Sequence, residues 1–289
     1  MSTLIENVSK VTAAHAALKT AIAAKGVAVP DGTKLTDMPA LVEQISTEPV
    51  PTNPRAVFAY DSSTSIVVPK LVVVDVTDAT DLSYSFSYCS LTSLTLPAGF
   101  GQKAKNLSSC FSGCTKLTPL LLPAGFGQAA INIYGCFLGC RSLTQLAIPD
   151  GFGQNAEQMH LCFQNCTSLT SLTLPAGFGQ NALYAQSCFN DCTSLTSLSL
   201  PAGFGQNALN LSGCFTKCTA LKTITGNPNF KISFSLSDST ELTHDSIMVV
   251  INGLQTVTST QTLTLGSTNL AKITDAEKKI ATDKGWTLA

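Results

Sequence analysis

Hydrophobic positions along this chain follow three different spacings, and each predicts a different kind of structure. Over the first 22 residues, Leu4, Val8, Val11, His15, Leu18 and Ile22 are spaced 4, 3, 4, 3 and 4 apart. That is the a/d seam of a coiled coil, about three heptads long. A lone helix of this length is marginal in water. The seam therefore predicts either self-association or an amphipathic helix folded back on residues 34–45. His15 on the seam is either a pH-sensitive element of assembly or a tolerated polar residue. Gly26 stops the helix, and Pro30-Asp31-Gly32 turns the chain. A second short helix follows, with Pro39 in its first turn and Leu41, Val42 and Ile45 on one face. Pro49, Pro51 and Pro54 then make residues 46–55 a semi-rigid, polyproline-type linker.

From Leu82 to Ile224 the spacing is a repeat of 26 residues. GFGQ begins at Gly99, Gly125, Gly151, Gly177 and Gly203. C-F-x-x-C begins at Cys110, Cys136, Cys162, Cys188 and Cys214. Between them runs L-T-x-L-x-L-P, as in Leu169 to Pro175. A degenerate first copy has Phe86 and Cys89, with one residue fewer before Leu91, and a last copy fades at Ile224. A fixed period of this size predicts a solenoid, in which each unit buries its apolar face only against its neighbours. Leu172 and Leu174 alternate with Thr173, which reads as a short strand with leucines inward, ended by Pro175. Stacked strands are expected about 4.8 Å apart. The Ala-Gly-Phe-Gly run turns the chain on glycines free to adopt positive φ.

The C-terminal block loses the repeat. Thr243 can cap a helix through Leu254, with Ile247, Val250, Ile251 and Leu254 on one face. Gln261 to Leu265 alternates like a strand. Thr274 to Glu277 is a capping box, and Gly285 closes that helix. This block is expected to hide the exposed end of the solenoid core. The chain thus divides into a helical anchor (1–45), a linker (46–55), a β-rich solenoid (56–236, with a leading strand segment at 56–81) and an α+β cap (237–289).

Composition narrows the chemistry. Charged residues are only 12% of the chain and the net charge is -1, so nothing electrostatic points to nucleic acid or an anionic membrane. The start of the chain lacks a secretory pattern and no stretch is apolar enough to span a bilayer, which predicts maturation in the cytoplasm. Ten of the 11 cysteines form five C-x3-C pairs. The spacing is wrong for zinc and only three histidines are present, His160 alone within the repeats. The cysteines read as small buried hydrophobes in a column, with disulfides or metal as the alternative.

Variation among the repeats locates a candidate binding surface. The five residues before each C-F vary most: KNLSS, INIYG, EQMHL, LYAQS and LNLSG. Their middle residues (Leu107, Ile133, Met159, Ala185, Leu211) stay apolar or small and are expected inward. The neighbours form two outward columns: Asn106, Asn132, Gln158, Tyr184 and Asn210, and Ser108, Tyr134, His160, Gln186 and Ser212. Amides, hydroxyls and two tyrosines make an uncharged strip suited to glycans or polar protein loops. The alternative is a solubilising exterior under no constraint. No catalytic set emerges. G-x-S-x-G, H-E-x-x-H and P-loop motifs are missing, carboxylates are sparse in the repeats, and no cofactor is implied.

The pattern C-F-x-x-C-T-S-L-T-S-L-T-L-P resembles the BspA-like leucine-rich repeats of bacterial surface proteins, over about half the chain. That resemblance implies a curved solenoid used for adhesion. The segment K-G-V-x-V-P-x-G-T-K-L-x-D-M-P-x-L-V-x-x-I, Lys25 to Ile45, resembles an N-terminal segment of bacteriophage tail and fibre proteins. The run from Leu242 to Leu288 is similar to the endings of repeat proteins from gut bacteria and their phages. Together these resemblances imply a non-enzymatic virion fibre or appendage protein. Its N-terminus would dock on other virion proteins and oligomerise, with a trimer favoured by analogy to other fibres. Its solenoid would face a host-cell glycan or protein. A bacterial surface adhesin and a ligand-free decoration protein are the other readings.

Overall fold

The computed structural model describes residues 79–96 and 98–289. The seam from Leu4 to Ile22, the second helix, the linker and residues 56–78 lie outside the described residues.

From residue 81 the chain winds in β-rich coils, starting at residues 81, 106, 132, 158, 184 and 210. Each coil sends the same side chains inward. Phe86, Phe111, Phe137, Phe163, Phe189 and Phe215 form one column, with ring centroids 5.3 to 5.7 Å apart and planes within 14° of parallel. Phe100, Phe126, Phe152, Phe178 and Phe204 form a second, at 5.9 to 6.4 Å. The two columns touch ring to ring, tilted by 40 to 52°. Offset stacking within a column and tilted contact between columns are both favourable for aromatic quadrupoles. Every one of these rings is buried.

The second glycine of GFGQ is demanded twice over. Gly153 has φ +68°, and a Cβ there would sit 2.7 Å from Phe178 Cδ2 in the next coil. Gly127 and Gly179 face Phe152 and Phe204 in the same way. The Gln-Asn that follows staples coils together: Asn155, Asn181 and Asn207 Nδ2 donate to the carbonyls of Gln128, Gln154 and Gln180 at 2.8 to 3.0 Å. The second cysteine of each pair is more than a small hydrophobe. Cys114, Cys140, Cys166, Cys192 and Cys218 donate their thiols to the carbonyls of Phe86, Phe111, Phe137, Phe163 and Phe189, at 2.9 to 3.2 Å. Burial pushes the thiols of Cys140, Cys166, Cys192 and Cys218 up, Cys192 to about 12.

Strands stack in parallel, but not along the whole solenoid. β1 (Leu94–Thr95) pairs with β2 (Leu120–Leu121). β3 (Ser171–Thr173), β4 (Ser197–Leu200) and β5 (Thr223–Gly226) form a second sheet, with Leu172 opposite Leu198 and Leu198 opposite Ile224. The coil between them breaks the expected ladder: residues 145–148 form no strand and pair with neither β2 nor β3. Ala147, a poor strand former, stands there where the adjacent coils have Leu121 and Thr173.

The C-terminal block closes the last coil. α1 (His244–Asn252) is capped by Thr243, whose hydroxyl accepts the Ser246 N–H, and buries Ile247, Val250 and Ile251. It covers the open edge of β5 through Ser246, whose Oγ accepts from Ile224 N–H at 3.0 Å and donates to the Lys222 carbonyl at 3.1 Å. The helix stops two residues earlier than expected. Gly253 lies against Pro228, where a Cβ would fall 2.7 Å from its carbonyl oxygen, and Leu254 bridges to Phe230 instead. β6 (Phe234–Ser235), β7 (Gln261–Thr264) and β8 (Trp286–Leu288) form a parallel sheet in that order. β6 falls before the expected boundary at 236/237, yet it pairs with β7. α2 (Gly266–Leu270) and α3 (Asp275–Asp283) complete the block, and α3 carries the full Thr274–Glu277 capping box.

Candidate recognition surface

The variable segment is held by a ladder of its own. The N–H groups of Leu107, Ser109, Phe111 and Gly113 donate to the carbonyls of Asn132, Tyr134, Cys136 and Leu138 in the next coil. The intervening N–H groups of Cys110, Ser112 and Cys114 turn back to carbonyls three residues earlier. Every second residue thus faces the neighbouring coil, a pattern that needs left-handed backbone at two positions per coil. Glycine fills some of them (Gly113, Gly135, Gly139, Gly213) and Tyr84, Tyr88, Ser109, Leu161, Asn165, Ser187, Asp191 and Lys217 the rest, at φ +53 to +60°. Side chains here project from a backbone bonded on both sides.

The predicted columns divide into structural and presented residues. Asn106, Asn132 and Asn210 are half-buried, and their Oδ1 atoms accept the N–H two residues on (Ser108, Tyr134, Ser212) at 2.9 to 3.1 Å. These are Asx turns, so the amide oxygens serve the coil rather than a ligand. Gln158 and Tyr184 occupy the same column without that bond, and both are exposed. In the second column Ser108 is buried, contrary to its outward assignment. Tyr134, His160 and Gln186 are half-buried, and Ser212 is exposed. The Tyr134 and His160 rings lie 4.4 Å apart at 50°. Desolvation lowers the His160 pKa below its ordinary value, which keeps the imidazole neutral near pH 7. His160 Nδ1 and Gln186 Oε1 are shielded from solvent without a protein partner.

The residue just before the first column escaped the sequence argument. Lys105, Ile131, Glu157, Leu183 and Leu209 hold this place in successive coils. Ile131 is 43% and Leu209 54% exposed, beside Tyr184 at 41%. Leu209 N–H donates to the Leu183 carbonyl, which makes these two leucines neighbours across coils. The signal was present in the first letter of each variable five-residue segment, which mixes Lys and Glu with Ile and Leu. Leu183, Tyr184 and Leu209 form an aromatic and aliphatic patch beside neutral amides. That chemistry provides contact area and hydrogen bonds, and no acid/base pair.

Residues 81–206 and 134–248 match the BspA type leucine rich repeat region in six copies, over more than half of the chain. The chain belongs to the BspA-type leucine-rich repeat family. No curated protein and no solved structure matches it. Leucine-rich repeats of this family are typically non-enzymatic protein-interaction modules. The broken ladder opens a crevice of about 520 Å³ between coils, bounded by Gln145, Ile148, Asp150, Ser171, Thr173 and Pro175. Its lining includes one carboxylate and no histidine or cysteine. Among the described residues no group of three His, Cys, Asp or Glu is placed to hold a metal ion, and no helix is long and apolar enough to cross a membrane. In the C-terminal block His244 bonds Asp245 at 3.1 Å and Glu277 at 2.8 Å, and both carboxylates raise its pKa. Glu277 also closes the capping box, so its place is structural.

Proposed function

We propose that this chain is a non-enzymatic attachment protein, in which a solenoid of 26-residue units presents a variable strip to a cell-surface glycan or protein. One observation carries this reading. On a scaffold whose inward residues repeat from coil to coil, the outer side chains change toward Leu, Tyr and Gln, with Tyr184 and Leu209 exposed and Leu183 and Gln186 half-buried beside them. Exposed Tyr and Leu beside neutral amides supply contact area at low entropy cost, with directional bonds around it. The carrier in this reading is a bacteriophage virion. The likeness of residues 25–45 to phage tail and fibre proteins, and of 242–288 to the endings of repeat proteins from gut bacteria and their phages, supports it, with the seam from Leu4 to Ile22 assembling the protein on the particle. A bacterial surface adhesin is the second reading, favoured by the family match.

The first test is binding of the full chain to glycan arrays and whole bacterial cells, alongside Tyr184→Ala and Leu209→Ser. The proposal expects at least a tenfold loss of binding with an unchanged melting temperature. Equal binding by all three proteins removes this face from consideration. Light scattering separates the carriers: a trimer that becomes monomeric in a Val11→Glu, Leu18→Glu double variant favours the fibre, and a monomer throughout favours the surface adhesin.

A further inference from the structure

We propose that Cys89 and Cys114 are a crosslinking site, forming a disulfide that ties the first coil to the second. Their sulfurs lie 2.9 Å apart and both side chains are buried. No other pair among the described cysteines makes a thiol–thiol contact. Later coils direct the equivalent thiol at a phenylalanine carbonyl alone. Closing the gap to the ~2.05 Å of a disulfide moves the sulfurs together by roughly 0.9 Å.

The first coil also differs from the later ones in sequence. Thr115 and Lys116 separate Cys114 from Leu117, whereas only Ser90 separates Cys89 from Leu91. Cys89 stands at the head of the described cysteine column, and its thiol meets Cys114, whereas each later thiol at this position donates to the phenylalanine carbonyl of the coil before. The odd total has its own origin: Cys89 has no C-x3-C partner in its coil, where Ser85 stands four residues earlier.

The two thiols are also electronically unequal. The hydrogen bond with Cys114 lowers the Cys89 pKa below the ordinary thiol value, and that contact, with burial, raises Cys114. Every other described cysteine is raised by burial. Cys89 also keeps 5% exposure against 0% for Cys114, so it is the sulfur that an oxidant reaches first and the one that attacks. The oxidant is a small-molecule disulfide such as oxidised glutathione. The Cys89 thiolate attacks one of its sulfurs, giving a mixed disulfide and one thiolate, which takes the proton that Cys89 lost. The Cys114 sulfur then displaces the second glutathione from Cys89 and gives up its own proton to that leaving thiolate. Two protein thiols become one disulfide while one small disulfide becomes two thiols. The crosslink restrains the first described coil against its neighbour, and contacts between adjacent coils are what hold a solenoid together.

The test uses the full chain equilibrated in glutathione buffers of increasing oxidised fraction, both as the native protein and after refolding. Thiols are then alkylated under denaturing conditions and counted by intact mass. The expected count falls from 11 to 9 (11 − 2), with a single crosslinked peptide pair containing Cys89 and Cys114 and a melting temperature higher by several degrees. Cys89→Ser holds the count at ten in every buffer, whereas Cys192→Ser still loses two. Eleven alkylated thiols at the most oxidising ratio in both samples, or a crosslink between any other pair, overturns the proposal.

Discussion

The GFGQ corner and the five residues before each C-F lie on the same coil, yet one barely varies along the chain and the other changes at most positions. Packing explains the difference. At the corner a glycine must accept positive φ and a phenylalanine ring from the next coil at once. In the variable segment the middle residue and the backbone bonds carry most of the packing on the neighbouring coil, so side chains such as Gln158, Tyr184 and Ser212 are released to other duties. Constraint in this molecule is imposed by the adjacent coil, residue by residue.

That contrast can be broken at graded cost. Phe163→Ala removes a ring held in its own column and against Phe178, and should cost about 3–5 kcal/mol in urea unfolding. Gly153→Ala, one methyl at the corner, should cost about 2–4 kcal/mol, because it meets both a left-handed backbone and the Phe178 ring. In the variable segment Asn132→Ala loses only an Asx bond and should cost about 0.5–1.5 kcal/mol. Tyr184→Ala should stay within about 0.5 kcal/mol of the parent. A Tyr184→Ala loss as large as that of Gly153→Ala would show that the strip is part of the scaffold.

The smallest effects are pH-dependent and opposite in sign. His160 is desolvated in the strip, so its folded pKa lies below 6.5. Its contribution to stability is complete above the unfolded value and erodes as pH falls toward the folded one. His244 gains Asp245 and Glu277, so its folded pKa lies above 6.5. Its contribution is complete below the unfolded value and is lost as pH rises through the folded one. NMR titration of the imidazoles should therefore find His160 titrating at lower pH than His244. Glu277→Gln should move His244 back toward 6.5 and leave His160 where it is.

Much of this fold was legible because repetition exposes inward positions. Phe, Cys and Leu recur where each coil must bury them, and Thr243 and Thr274–Glu277 announce helix starts by local bonds alone. Ser108 was misplaced because strict alternation treats every coil as equal, whereas the left-handed residues bend the chain between alternate positions. Strict alternation marks only the residues flanking the inward one as outward, and so gives no place to Ile131, Leu183 and Leu209. β6 and β8 were missed because strands of two and three residues carry too little pattern to be read.

By itself, then, the sequence determined the repeating inward columns, the glycine corners and the helix caps. These follow from local backbone preference and from apolar periodicity, both of which are written in one dimension. Only the tertiary structure decided which residues of the predicted columns are exposed, that three asparagines are spent on their own turns, that the strand ladder breaks at residues 145–148, and that Cys89 lies against Cys114. Each of those depends on what the neighbouring coil places across a gap of a few ångströms, and residues about 26 apart in sequence reveal that only once they are stacked.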